Sequence, residues 1–594
     1  MDFPLETRRH SAAHVMAAAI KRLFPSAKFG VGPVIEHGFY YDIDIGRSLE
    51  PNDLEDINKE MIKIVKENPS FERIELPIDE AIVQFKTLGQ VYKVELLNDL
   101  KTRGTTKMSA EDLHDFGADV STVSIYRTGD FIDLCRGPHV NEARDIGAWK
   151  LHKFSAVYWR GKDENPSMQR IYGLSFATKE DLQAHIQMME EAEKRDHRKL
   201  GKELGLFVFS ELVGSGLPLW TPKGTIMREL LHDFVWQLRK QHHYQKVTIP
   251  HITRKDLYEV SGHWAKYADD LFKIETRDKH LFAMKPMNCP HHTQIYASEQ
   301  RSYRELPVRY AETTMVYRDE QSGELSGLSR VLSITQDDAH VFCRVNQVAQ
   351  EAEIVWNIIS EFYGTFGFEL QPRLSRRDPQ KPEKYLGSVE DWDSAERALK
   401  GILEEKQLHW IDGPGEAAFY GPKIDFMAKD SIGRIHQVAT IQLDFNQPKN
   451  FGLNCINEAG EKEQILMIHC AIMGSIERFM AVMIEHFAGS FPLWLAPVQI
   501  AVLPVADRHV DFAYSLAKEL ENIGLRIEVD SAAESVGRKI RNAEKSKVPV
   551  MLVVGDKEVE GDHLTIRIRG EVEQRVLSRQ DFISFVQDKI SRKA

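Results

Sequence analysis

Hydrophobic and polar positions fall into four stretches of different rhythm along the chain. Up to about residue 178, short apolar alternations such as Gly38–Asp44 (GFYYDID) mix with helical patterns, which predicts strands interleaved with helices. Residues 179–204 are dense in alternating charge and lack proline (EDLQAHIQMMEEAEKRDHRKLGKEL), the pattern of one exposed connecting helix and therefore of a boundary. From 205 to 495 the strands read as antiparallel and are followed by long helices, an α+β arrangement. From 496 onward QIAVLPV, HVDFAYSLAKELENIG, LRIEV, VGRKIRNAEKSK and VPVMLVVG alternate strand and helix, predicting a small α/β unit with a mostly parallel sheet. No repeat or low-complexity tract interrupts this order.

Composition narrows the picture. A chain of 594 residues is too long for one core, and 42% hydrophobic with 28% charged residues is an ordinary folded balance. The formal charge of −12 disfavours a protein that coats polyanions, although Arg538, Lys539, Arg541, Lys545 and Lys547 form a local basic helix. That helix is either a solvated face or a nucleic-acid contact. Five widely spaced cysteines argue against a disulfide framework and for a reducing, cytoplasmic setting. No signal peptide is expected at the N-terminus. The most apolar stretch, from His486 to Val505, is broken by Pro492, Pro497 and Pro504, so it predicts a packed linker and no membrane association.

Two clusters of soft ligands carry candidate chemistry. The first joins His10 and His14, four apart on one helical face, to Asp133, Cys135 and His139, the last two separated by a Gly-Pro turn. By residue type it could bind zinc, form a metal-free hydrolytic pocket, or be unrelated buried residues. The second joins Met287-Asn-Cys289-Pro-His291-His292 to Gln336-Asp-Asp338-Ala-His340 and to His469. Its spacing is too wide for a zinc finger, and a metal there would join distant parts of one domain with a fourth position open. Simple packing is the competing reading. Two arginine motifs surround this cluster: Tyr317-Arg318-Asp-Glu320, with Arg330 beyond a Gly/Ser-rich turn, and Gly474-Ser475-Ile-Glu477-Arg478 opening an amphipathic helix. Arginine suits phosphate because its fork bonds two oxygens and stays charged. No P-loop or G-x-G-x-x-G opens a helix, so a bound nucleotide would rest on arginines and an antiparallel sheet.

At these residues the sequence resembles the threonyl-tRNA synthetases, class II aminoacyl-tRNA synthetases. The motifs RHSAAH, GFYYD, DLCRGPHV, RIYGLSFA, SGHW, KPMNCP, QDDAH, FYGPKIDF, TIQLDF, GSIERF, FPLWLAPVQ and GDKEVE occur in family order over essentially the whole chain. The resemblance implies a multidomain α+β and α/β protein: an editing domain (1–178), a linker helix (179–204), a class II antiparallel-sheet catalytic domain (205–495) and an α/β anticodon-binding domain (496–594). It implies one zinc on Cys289, His340 and His469, and Mg2+ with ATP. Met287, Gln336, Asp338, Tyr420, Gln442 and Ser475 would bind substrate, with Asp338 accepting from the threonine hydroxyl. Arg318, Glu320, Arg330 and Arg478 would hold ATP, Lys423 would help position it, and His263 would lie near the terminal tRNA ribose. His10, His14, Lys93, Asp133, Cys135 and His139 would form a deacylase, usually without metal. Arg541, Glu558 and Arg567 would meet the anticodon of tRNA(Thr), and the chain would be a homodimer.

Selectivity arguments agree with that reading. Threonine and valine are nearly isosteric, so an apolar pocket separates them poorly, whereas a metal taking amine and hydroxyl is left short of a ligand by valine. Serine keeps the hydroxyl, and a missing methyl is worth only about 1–3 kcal/mol, so a second hydrolytic site is expected. The chain departs from the family pattern at His291, commonly Gly, and at His436, commonly Trp. Motif 2 lacks a second arginine often seen there, and a small N-terminal ubiquitin-like domain is expected to be missing. The rival readings are a prolyl- or seryl-type class II synthetase and a non-catalytic RNA-binding paralogue.

Overall fold

The computed structural model describes residues 3–104 and 121–593. They form two compact units, Met1–Glu190 and Glu191–Ala594.

In the first unit helix α1 (Leu5–Leu23) buries an unbroken run from Ser11 to Ile20. Five of those ten residues are alanine, whose small side chains let the backbone approach its neighbours closely. One neighbour is strand β1 (Gly38–Asp44), paired antiparallel with Ser167–Phe176, which pairs in turn with Ala148–Tyr158. A second antiparallel sheet comprises Phe71–Pro77, Thr122–Thr128 and Phe131–Leu134. After that last strand Gly137 turns the chain with φ +74°, and a Cβ there would meet the Tyr126 hydroxyl at 2.3 Å. Glycine at this position is what brings His139 back towards Cys135.

The predicted single connecting helix is two helices, Lys179–Lys194 and His197–Glu203. The break comes at Asp196, whose carboxylate caps the second helix by accepting from the Arg198 amide at 2.8 Å. Charge patterning could not reveal it, because an N-cap aspartate inside a charged run looks like one more surface charge.

The second unit is built on an eight-stranded sheet. Helix α2 (Pro222–Gln241) precedes it, and its chain-ordered elements are α3 (Cys289–Ala297), β2 (Val308–Tyr317), β3 (Ser333–Cys343), α4 (Val348–Thr365), β4 (Lys423–Lys429), β5 (Ile435–Asp444), β6 (Leu466–Ser475) and α5 (Ile476–His486). The spatial order is Gln245–Lys246, β2, β3, β6, β5, β4, Glu369–Arg376, Ile411–Pro414. Every pairing is antiparallel except the outermost two. Residues alternate faces along a strand. On β3, Ala339, Val341 and Cys343 enter the main core with Phe234, Phe362, Phe479 and Trp494, which leaves Gln336, Asp338 and His340 for the opposite face. The predicted antiparallel α+β pattern is thus observed.

The C-terminal segment carries a five-stranded sheet in the order Ile527–Val529, Ile500–Pro504, Val550–Val554, His563–Ile568, Arg575–Ser578. The first three strands are parallel, as the alternating pattern implied. The last two are antiparallel: the five-residue helix Asp556–Glu560 is too short to carry the chain across the sheet, and a tight turn joins His563–Ile568 to Arg575–Ser578. Basic helix α6 (Val536–Lys545) packs against the parallel strands.

A buried ion pair ties α4 to the sheet: Arg309 of β2 bonds Glu351 through Nε at 2.6 Å and Nη2 at 2.7 Å. Glu351 is only 2% exposed. Replacing Arg309 with Met should therefore cost about 3–5 kcal/mol by stranding a buried charge, read as a lower urea midpoint. An unchanged midpoint would show that water reaches Glu351.

Candidate functional site

The sheet brings the second soft-ligand cluster together. His340 on β3 lies directly opposite His469 on β6, and Cys289 opens α3 above them; all three are buried. His340 Nε2 and His469 Nδ1 face each other at 3.1 Å. Each ring's other nitrogen is held from outside: His469 Nε2 meets the Asp444 carboxylate at 2.9 Å, and His340 Nδ1 meets His292 Nδ1 at 2.8 Å. Asp444 can only accept, so His469 carries its proton on Nε2 and turns a lone pair inward. With His340 donating to His292, two inward lone pairs and a thiol converge, a donor set that fits a soft divalent cation such as zinc. Burial holds the His340 imidazole well below its ordinary value and so neutral, as a ligand must be.

The expected substrate residues surround this point. Asp338 is steered by Asn288 Nδ2 at 3.0 Å. The Tyr420 ring lies 5.2 Å from that of His469, and Gln442 neighbours His469 in register on β5 while donating to the Gly421 carbonyl at 3.2 Å. Met287 Sδ receives Arg318 Nη2 at 3.5 Å, joining the trio's surroundings to an adjoining cleft of about 450 Å³. That cleft is lined by Arg318, Glu320, Arg330, Gln336, Ser475 and Arg478 among others. Ser475 caps α5 by accepting from the Arg478 amide, which sets where Arg478 leaves the helix. Lys423 pairs with the fully buried Asp425 at 2.9 Å. Glu320 and Arg330, expected to take opposite ends of one nucleotide, are bonded to each other at 2.7 Å, with Glu324 at 2.9 Å as a second acid.

His263 is fully buried, with Nδ1 2.9 Å from the Ser261 hydroxyl and Tyr267 stacked on its ring. Its Nε2 has no protein partner. Burial pushes the imidazole down to about 4, with His469 and Arg318 adding to the effect and Asp444 opposing it.

The first cluster also assembles, within the N-terminal unit. Cys135 Sγ lies 3.2 Å from His10 Nε2 and 3.3 Å from His139 Nε2. Ser11 spends its hydroxyl proton on the Thr7 carbonyl at 2.8 Å, so His139 must donate from Nδ1 to Ser11 and point a lone pair at the thiol. His14 Nε2 is 3.6 Å from Asp133, and Lys93 Nζ is 2.5 Å from the same carboxylate. The Tyr41 hydroxyl closes the group, donating to Asp133 and accepting from Lys93 at 3.0 Å. His10, His14, Tyr41, Lys93, Asp133 and Cys135 line a cavity of about 700 Å³ with Arg73, Glu75 and Arg136, and His139 stands behind Cys135. Burial and Asp133 push the Cys135 thiol up to about 12, so it is a neutral thiol and a poor nucleophile at pH 7.

At the C-terminal sheet the predicted residues divide. Arg541 is exposed on α6 and Arg567 half-buried on its strand, both in reach of a ligand. Glu558 is buried, and its carboxylate already accepts from the Gly555 amide and the Thr565 hydroxyl. Of the basic helix, Lys539 turns inward and bonds the Pro504 carbonyl at 3.0 Å, so it belongs to the packing.

Comparison with known proteins agrees with this geometry. Residues 123–172 match the "Threonyl and Alanyl tRNA synthetase second additional domain", 272–487 the "tRNA synthetase class II core domain (G, H, P, S and T)" and 499–589 the "Anticodon binding domain". The threonine–tRNA ligase of Halalkalibacterium halodurans is 43% identical over 98% of this chain and 89% of its own length. That of Porphyromonas gingivalis is 45% identical over 98% and 87%. The chain belongs to the threonyl-tRNA synthetase family. A solved structure, the RNA-binding domain of a Cryptosporidium parvum threonyl-tRNA synthetase, superposes with TM-score 0.64 at 36% identity, over 66% of this chain and 98% of that one. Prolyl-tRNA synthetase from Giardia lamblia shares the fold alone, at 15% identity and TM-score 0.53.

Within that family frame the two departures find local partners. His291 meets the Thr253 hydroxyl at 2.6 Å, and His436 meets Asp430 at 3.0 Å. Several residues that shape the site were missed from the sequence: Asp337, Asp425, Asp444 and Tyr41. All are polar groups in strand or helix patterns that otherwise read as structural. Asp425 and Asp444 sit in FYGPKIDF and TIQLDF, where a lone acid among apolar neighbours was the available signal.

The depressed His263 value has a measurable consequence. Unfolding restores an ordinary value near 6.5, so the neutral ring favours the fold above that pH, and this contribution is lost as pH falls from about 6.5 to about 4. Wild-type stability should drop by about 3 kcal/mol more over this window than that of His263→Gln, in urea unfolding at each pH. Parallel curves would mean the ring is not buried neutral.

Proposed function

We propose that the chain is a threonine–tRNA ligase: it activates L-threonine with ATP to threonyl-adenylate, transfers threonine to tRNA(Thr), and hydrolyses mischarged seryl-tRNA(Thr). The observation that carries the reading is the buried Cys289–His340–His469 trio between Asp338 and the arginine cleft, in a chain with family identity above 40% over nearly its whole length. In this reading the four segments 1–178, 179–204, 205–495 and 496–594 act as editing domain, linker, catalytic domain and anticodon-binding domain. The protein works in the cytoplasm as a homodimer. Among the described residues no helix is long and apolar enough to cross a membrane.

Cys289, His340 and His469 would hold one zinc, which supplies a Lewis-acid contact for the amine and hydroxyl of threonine. Asp338 accepts from that hydroxyl, and Tyr420, Gln442 and Met287 enclose the side chain. ATP enters with Mg2+. Arg318 orients the threonine carboxylate towards the α-phosphate, Arg330 and Arg478 take the remaining charge, and pyrophosphate leaves as the carboxylate oxygen bonds phosphorus. Gln336, Ser475 and Lys423 position the two substrates, and Glu320 meets adenine once its pairing with Arg330 opens. In the second step a terminal ribose hydroxyl of the tRNA attacks the adenylate carbonyl and AMP leaves. His263, buried beside Tyr420, supports that transfer. Arg541, Glu558 and Arg567 form the anticodon end, Glu558 by shaping the surface it caps.

In the editing cavity a water is the nucleophile, because the Cys135 thiol stays protonated. Lys93, Asp133 and His14 hold and polarise that water, and His10 and His139 shape the wall around it.

Metal analysis should find one zinc per chain, with ATP–pyrophosphate exchange strong for threonine, weak for serine and absent for valine. Cys289→Ala should lose both metal and exchange. Retained threonine exchange without metal would refute the pocket, and exchange with proline alone would favour the prolyl-type rival. Independently, Lys93→Ala should keep threonine exchange within about twofold while seryl-tRNA(Thr) hydrolysis falls by about 10²-fold or more, the range for loss of a polarising group. Equal loss of both activities would show that the N-terminal cavity is not a separate site.

A further inference from the structure

His197 sits at the start of the short helix His197–Glu203, far from the soft-ligand trio in sequence. It is 5% exposed. Both ring nitrogens are committed. Nδ1 lies 2.7 Å from Glu485 Oε1 and Nε2 accepts the backbone N–H of Leu328 at 3.0 Å. Since Leu328 can only donate there, the ring is neutral with its proton on Nδ1, and Glu485 accepts it. The same carboxylate oxygen also takes the His197 amide at 3.1 Å. Asp196, His197 and Glu485 could resemble a metal group by residue type, but these bonds use the ring completely.

What the ring connects gives it meaning. Leu328 is the buried middle of a turn closed by Ser326 N–H to Arg330 O at 3.2 Å and Arg330 N–H to Ser326 O at 3.3 Å. Arg330 and its neighbours Ser329 and Val331 form one wall of the arginine cleft. Glu485 lies on α5, whose first turn carries Arg478, a second wall. Its other oxygen binds Arg434 Nη1 at 2.7 Å, Arg434 binds Asp430, and Asp430 binds His436. The next residues, Gln437 and Val438, are the third wall. The turn itself is tailored to the ring: at Gly327, with φ +50°, an added Cβ would lie 2.3 Å from His197 Nε2.

We propose that His197 is a positioning residue for ATP: its neutral imidazole fixes the Gly327–Leu328 turn against α5 and so sets the distance between Arg330 and Arg478. The inference rests on the ligase reading. It separates ATP from threonine, because none of the three walls it braces is built by Cys289, His340, His469 or Asp338.

The test uses ATP–pyrophosphate exchange by the full chain, with KM for ATP and for threonine measured separately. His197→Asn places an amide where Nδ1 is and keeps the Glu485 bond, but removes the acceptor for Leu328. His197→Gln places an acceptor near Nε2. Asn should raise the KM for ATP roughly three- to tenfold, the range of one neutral hydrogen bond, with the KM for threonine within twofold of wild type. Gln should restore much of the loss. Gly327→Ala, which displaces the turn from its other side, should reproduce the ATP-selective effect. Equal rises in both KM values, no change in either, or a Gln variant as impaired as Asn would each overturn the proposal. A wild-type chain that shows no threonine-dependent exchange would instead sink the ligase reading and leave the His197 contacts unexplained. If Asn fails to fold, Gly327→Ala alone decides.

Discussion

Everything at the central site depends on how β3 and β6 meet, and one buried carboxylate sets that meeting. Asp337 is fully buried, and its two oxygens receive the amides of Ile472, Met473 and Gly474 at 2.8–3.0 Å. Arg239 of α2 approaches the same group from the helix side. The pairing of the two strands shifts beside Asp337, between Gln336 and Asp338. On one side of that irregularity His340 faces His469. On the other, Gln336 faces Ser475 and α5 begins. Burial pushes Asp337 up to about 6 while the arginine and amides pull back, so this is a charge held at a cost for the geometry it imposes. A one-residue slip would exchange the faces of β3 and place His340 among the phenylalanines.

The same strand thus serves two purposes by alternation. Gln336, Asp338 and His340 face the candidate site while Ala339, Val341 and Cys343 face the core, and Asp337 is a fully buried acid on the core side. The paired second contacts on the histidines follow the same economy. Asp444 fixes the tautomer of His469 while its other oxygen caps Asn446 and Gln447. In the N-terminal unit Ser11 plays the corresponding part for His139. A hydroxyl with a single proton, already given to Thr7, determines which way the imidazole's lone pair points.

Much of this was legible beforehand. The soft ligands, the arginine motifs and the antiparallel character of residues 205–495 came from residue type and rhythm, and the structure assembles both predicted clusters. What escaped were groups whose meaning is relational. Asp196 reads as a surface charge until its capping bond is seen. Lys539 reads as one more charge of a basic helix until it is found turned inward on the Pro504 carbonyl. Tyr41 and Asp444 hold the predicted residues from behind, and no spacing rule marks a residue whose partner lies 92 or 25 positions away in another element. The hairpin that ends the C-terminal sheet was hidden because its strands alternate buried and polar residues (Leu564 and Ile566 inward, His563, Thr565 and Arg567 between them), without the apolar runs that announced Ile500–Pro504 and Val550–Val554.

The pairing of Arg330 with Glu320 and Glu324 bears on how a triphosphate is received. The arginine already has two carboxylates as counter-ions, so under the proposed function a nucleotide would arrive as a competitor for an occupied cation. Its phosphates must displace one set of anions by another, and the favourable electrostatics of binding is the difference between two attractions. Releasing Glu320 at the same moment would free an acceptor for the base end of the ligand that the proposed function assigns to it. Charge exchange at Arg330 and recognition at Glu320 would then be one event, and an anion without a base to offer, such as free phosphate, would gain only the first part of it.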